Sequence, residues 1–155
     1  MVAKGKDLPD RDHVIRHVPW SKLRKDENEN VIGFLPQAFE LRPEEAYLSA
    51  NWLEYFSGDH EQRIREAVQT YRKKATVRKR AHFGIANVGK LKEVCRSSGV
   101  TVRIVYWPTT DHPSHAAIRN YPRDDLSLFE AMAVDAFAGS VRNADVTDSA
   151  LSEES

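Results

Sequence analysis

Residues 100–107, Val-Thr-Val-Arg-Ile-Val-Tyr-Trp, restrict the fold of this chain more than any other segment. β-Branched and aromatic side chains fill it, and such side chains pack well on a pleated surface. The segment is therefore predicted to be a strand. The residues before it are also patterned. Phe83, Ile85 and Val88 make 81–88 a second strand, and Gly89 opens a helical stretch over 90–98. Leu91, Val94 and Cys95 share one face of that helix, and Gly99 stands where a left-handed residue ends a helix. Strand, helix and strand make 82–107 a βαβ-like unit. Direct pairing of its two strands would be parallel, with a right-handed crossover.

Two amphipathic helices accompany this unit. Ile64, Val68, Tyr71 and Ala75 form one apolar stripe over 59–75, and Asp59 with Gln62 has capping-box spacing. Leu126, Phe129, Ala133 and Phe137 form the stripe of a helix over 124–138, capped by Asp124 or Asp125 and followed by Gly139. His13–Val18 and Tyr47–Ala50 read as short strands, and Trp52, Tyr55 and Phe56 as the face of a short helix. Residues 108–123 hold three prolines and read as a polar loop. This irregular order of short elements predicts an α+β fold, a single compact domain around a small mixed sheet. The 155 residues suit one domain. The expected layout is a flexible arm at 1–12, the domain at 13–140 and an acidic, serine-rich, disordered tail at 141–155.

Cys95 is the sole cysteine, so no intrachain disulfide forms, and its helical position makes it a small buried apolar residue. The first residues carry no apolar stretch of a signal peptide, and no run reaches the ~18 apolar residues of a spanning helix. The expected setting is the cytoplasm, without a membrane partner.

Lys plus Arg equals Asp plus Glu at 23 each, which taken whole argues against a polyanion partner. The distribution says otherwise. Residues 1–62 carry 8 cations and 12 anions, 63–107 carry 12 and 2, and 108–155 carry 3 and 9. The net charges are −4, +10 and −6. The densest tract, 63–80, includes Arg63, Arg65, Arg72, Lys73, Lys74, Arg78, Lys79 and Arg80. It is either a solvated face neutralised by the acidic ends, or a surface for nucleic-acid backbone (DNA or RNA) or an acidic protein.

The loop Asp111-His112-Pro113-Ser114-His115 follows the best strand, and Arg119 lies just beyond. Loops at the carboxyl ends of strands often hold active sites. Two imidazoles can take and give a proton around a phosphate ester while an arginine stabilises the developing anion. Turn and cap chemistry would equally account for Asp111, Ser114 and His115. His13 and His17 are four apart; on a strand that separates them by ~13 Å, too far for one ion. No HExxH, CxxC or phosphate-loop motif is present, so neither metal nor cofactor is expected. Two functions remain: a binding module built on 63–80, or a small enzyme on a phosphate-bearing substrate, RNA or a nucleotide, with His112, His115 and Arg119 at its centre.

Overall fold

Asp59 and Gln62 form the capping box their spacing calls for. The Asp59 carboxylate accepts from the Gln62 backbone N–H at 2.9 Å, and the Gln62 side chain accepts from the Asp59 N–H at 2.8 Å. The helix they open ends at Arg72, short of 75. The computed structural model describes residues 2–147. In chain order the elements are β1 (His13–Val18), β2 (Leu23–Lys25), β3 (Val31–Phe34), β4 (Leu48–Trp52), α1 (His60–Arg72), β5 (His82–Asn87), α2 (Val88–Ser97), β6 (Arg103–Tyr106), β7 (His115–Arg119), α3 (Leu126–Ala131) and β8 (Gly139–Arg142). Asp125 caps α3, which continues as a π-turn, Met132–Ala136. The architecture is α+β.

Six strands form one sheet in the order β6-β7-β4-β1-β5-β8; β2 and β3 form a hairpin. Every pairing in the large sheet is antiparallel, so the expected mixed sheet is not what forms. The βαβ-like unit explains the difference. β5 and β6 do run parallel, but β1, β4 and β7 lie between them, and α2 carries the chain across. The intervening strands come from distant sequence, and β7 lies inside the stretch read as loop. His115–Ile118 is buried throughout, so no alternation marks it, and its two alanines have weak strand preference.

The core sits on one face of the sheet. Val14, Val18, Leu48, Ala86, Ile104, Ala116 and Ile118 pack there with Leu91 and Cys95 of α2 and Phe129 of α3. Phe39 and Phe137 meet with ring centroids 4.9 Å apart. Burial pushes the Cys95 thiol up to about 11, and its Sγ lies 3.9 Å from Met132 Sδ. It is a packing group, not a nucleophile. The opposite face carries a smaller cluster, in which Ile15 and Phe83 meet Ala67 and Val68 of α1. Helix α1 covers the β1–β5 side of that face. Cross-strand register places Ile15, Asn51 and His115 in one row, and the β4–β7 side lines a cavity.

Residues 2–12 and 141–147 are more structured than the sequence implies. The expected arm at 1–12 runs beside β6: Gly5 N–H donates to Tyr106 O at 2.7 Å, Leu8 N–H to Ile104 O at 2.9 Å, and Leu8 is buried. β6 is a sheet edge, and its unpaired backbone groups take up the arm. Past residue 140, β8 pairs with β5, and buried Asn143 accepts from and donates to the segments around it. The expected tail therefore begins inside the fold; its part from 148 onward lies outside the described residues. Among the described residues, no helix is long and apolar enough to cross a membrane.

Candidate functional site

β7 begins at His115, and the turn before it places His112 nearby: His115 N–H donates to His112 O at 3.0 Å. Both imidazoles line one cavity of about 390 Å³, a size typical of small-ligand sites. Arg119 is not among its lining residues. It closes β7 at the other end, with its guanidinium 4.4 Å from the Trp107 ring and 5.3 Å from Tyr47. Period-2 geometry puts residues 115 and 119 on one face, their backbones ~13 Å apart along the strand, and the Tyr47 ring, 5.6 Å from His115, stands against both side chains.

Other residues take the place sought for Arg119. Arg16, Lys22 and Arg42 line the cavity with His17, opposed by Glu40 and Glu45. Direct pairing of β1 with β4 stops at Ile15 and Asn51. Beyond it the Arg16 side chain bridges the opening, donating from Nε to Ala38 O at 3.0 Å and from a terminal nitrogen to Ser49 O at 2.5 Å. Burial lowers the Arg16 pKa, opposed by the Glu45 and tyrosine charges. The sequence held a signal for this residue. Alternation in Val-Ile-Arg-His-Val puts Arg16 on the same face as core Val14 and Val18, where an arginine needs a structural reason.

His115 Nδ1 lies 2.7 Å from the Trp107 carbonyl, which can only accept, so Nδ1 carries the proton. Nε2 is then the nitrogen able to take one. Burial lowers the His115 pKa, the Trp107 bond opposes this, and His112 adds to it. His17 stands between Tyr71 and Phe83, with centroids 5.5 and 5.6 Å away. Its pKa is lowered by burial, then by Arg16 and Lys22, and its buried Nε2 has no hydrogen-bond partner among the described residues. His112 stacks on Tyr71 of α1 at 5.3 Å. Ser114 does not face a base; its hydroxyl donates to Asn51 Oδ1 at 3.0 Å.

The basic tract divides. Arg63 Nε donates to Phe56 O at 3.0 Å. Arg72 clamps the C-terminal segment through Asn143 Oδ1 at 2.8 Å and the Asn143 and Val146 carbonyls at 2.6 Å. The Arg80 guanidinium lies 4.0 Å from the Trp20 ring. Arg63 and Arg72 thereby brace the fold, while Arg80 is exposed. Arg65, Lys73, Lys74, Arg78 and Lys79 are exposed. Two cations outside the tract meet the acidic N-terminal block, Lys92 with Asp10 at 2.5 Å and Arg103 with Asp7 at 3.0 Å. Neutralisation between blocks is thus real but, among the described residues, gives the exposed part of 63–80 no ion pair.

No family model, curated protein or solved structure matches this chain.

The buried imidazoles make stability pH-dependent. His17, His82 and His115 all have pKa values below the ordinary 6.5, mainly through desolvation. Such a group binds its proton more readily in the unfolded chain. As pH falls below 6.5 the unfolded state takes up more protons, and stability declines until the folded pKa is passed. Tm is expected to drop by several degrees between pH 7 and pH 5, since about 1 kcal/mol moves Tm by roughly 3 °C at this size. His115→Asn should flatten that slope in thermal melts. An unchanged slope would show that His115 is not protonated on unfolding.

Proposed function

We propose that the chain is a small enzyme acting on a phosphate-bearing substrate, RNA or a nucleotide, in the cavity between β1, β7 and the end of α1. The observation that carries this reading is the convergence there of His17, His112 and His115 with Arg16, Lys22 and Arg42. Cationic side chains hold phosphoryl oxygens. His115, protonated on Nδ1, offers Nε2 to take a proton from an attacking hydroxyl. His112, on the turn above, is placed to return one to the leaving oxygen. Arg119 has no part in this scheme. The test is turnover of RNA oligonucleotides, a 2′,3′-cyclic nucleotide and nucleoside triphosphates by purified protein, each assayed for phosphate-ester cleavage. Absence of turnover on all three classes removes the enzyme reading.

A second reading, a binding module, is favoured by a separate observation. Arg65, Lys73, Lys74 and Lys79 are exposed and enter no ion pair among the described residues. They lie on α1 and the connector after it, and Tyr71 of the same helix lines the cavity. Binding of fluorescent single-stranded RNA should weaken steeply with salt, and the Lys73→Ala, Lys74→Ala double variant should lower the log–log slope by about 2. Arg72→Ala is a poor probe, because it releases the C-terminal clamp. Salt-independent or undetectable binding would leave an acidic protein as the partner to seek for this surface.

A further inference from the structure

A second cavity lies elsewhere in the fold. It measures about 780 Å³ and is lined by Val2, Pro9, Arg11, Asp12, His13, Trp52, Glu54, His60 and Arg63. Three of these residues come from three elements: His13 opens β1, Glu54 lies on the 3-10 turn after β4, and His60 opens α1. Each offers one donor atom, and the three atoms lie within 4.8 Å of one another. The His13 and His60 rings meet edge to face at 4.9 Å. Glu54 is fixed on both oxygens, accepting from the His13 backbone N–H at 2.6 Å and from His13 Nδ1 at 2.7 Å.

We infer that His13, Glu54 and His60 form a binding site for a divalent transition-metal ion of the zinc class, with an open coordination position facing the cavity. Two imidazoles and a carboxylate are a donor set such ions take. Ligand atoms around a tetrahedral zinc stand roughly 3.3 Å apart, given metal–ligand distances near 2.1 Å. The 4.8 Å limit is therefore within reach of a turn of the exposed His60 ring. His13 and Glu54, only part-exposed, are already held by the sheet end and by each other. A three-residue set leaves a fourth position for water or a ligand. Arg11 and Arg63 line the same cavity, so the ligand completing the ion is an anion, a carboxylate or a phosphate. The His13–His17 pair, rejected from its strand spacing, is not this site: His17 lies in the other cavity, and the ion's second imidazole comes from α1.

Isothermal titration of the untagged full chain with zinc chloride at pH 7.5 tests this. One ion should bind with micromolar or tighter affinity. His60→Ala should weaken it at least tenfold, as should His13→Ala, while His112→Ala leaves it unchanged. His60 is exposed at a helix start, so its variant keeps the fold; far-ultraviolet circular dichroism confirms this for each variant. Cobalt should give the intense visible absorption of a four- or five-coordinate site, lost in His60→Ala. No zinc binding, or binding that survives His60→Ala and disappears in His112→Ala, overturns the inference.

Discussion

Phe39→Ala is expected to cost about 3–5 kcal/mol, the range for truncating a buried aromatic ring. Phe39 is fully buried where the 3-10 turn Pro36–Phe39 docks under the sheet. It touches Phe34 and Phe137, with centroids 6.1 and 4.9 Å away. Its carbonyl also accepts from the buried Tyr121 hydroxyl at 2.7 Å. Burial raises the Tyr121 pKa, so that hydroxyl keeps its proton and the bond. Small domains have only about 5–15 kcal/mol in total, so the variant should be close to unfolding at 37 °C. Urea titration measures it. Phe39→Leu should cost markedly less, because it removes less volume. A cost below about 1 kcal/mol for the alanine variant would show that the ring is not packed as described.

His115→Asn should lower turnover of any phosphate ester the protein cleaves by 10²- to 10⁴-fold, the usual contribution of a positioned general base. Asparagine can still donate to the Trp107 carbonyl, so the strand start keeps its hydrogen bond while Nε2 is lost. His112→Gln tests the acid in the same way. The pH profile separates the two roles. A base whose pKa is held down by burial stays active below pH 6.5, so the acidic limb of the wild-type rate should lie lower than that of a free imidazole. Losing that limb in His115→Asn would assign it. Equal rates for wild type and variant would leave His115 as a strand-capping residue alone.

The residues that announced themselves in the sequence did so through local physics. Asp59 and Gln62 are three apart, and their bonds close within one turn of α1. Asp125 caps α3 by the same short-range geometry, and β6 follows from its β-branched run. The α3 stripe ends in a π-turn rather than in regular helix, which the apolar spacing does not reveal. β7 was illegible for the opposite reason. Its side chains are buried on both faces, and its partners, β4 and β6, come from separate parts of the chain.

The candidate site divides along the same line. His112 and His115 are close in sequence, and a single turn suffices to bring them to one cavity. Arg119 is close in sequence too, but it closes the other end of β7 and does not line the cavity. Arg16, His17 and Lys22 reach the cavity because β1 lies two strands from β7, and Tyr71 because α1 lies over β1 and β5. His13 and His60 stand 47 positions apart in sequence, with Glu54 between them, and no spacing rule joins the three. By itself the sequence determined the capped starts of α1 and α3, the strongest strands, the α+β class and the opposed charge blocks, since each depends on neighbours along the chain; it read Val88 as strand, whereas α2 begins there with Asn87 as its cap. Only the tertiary structure decided the strand order, which basic residues are clamps and which are exposed, and which histidines meet. Those depend on pairings across the sheet, where distance in space is independent of distance in sequence.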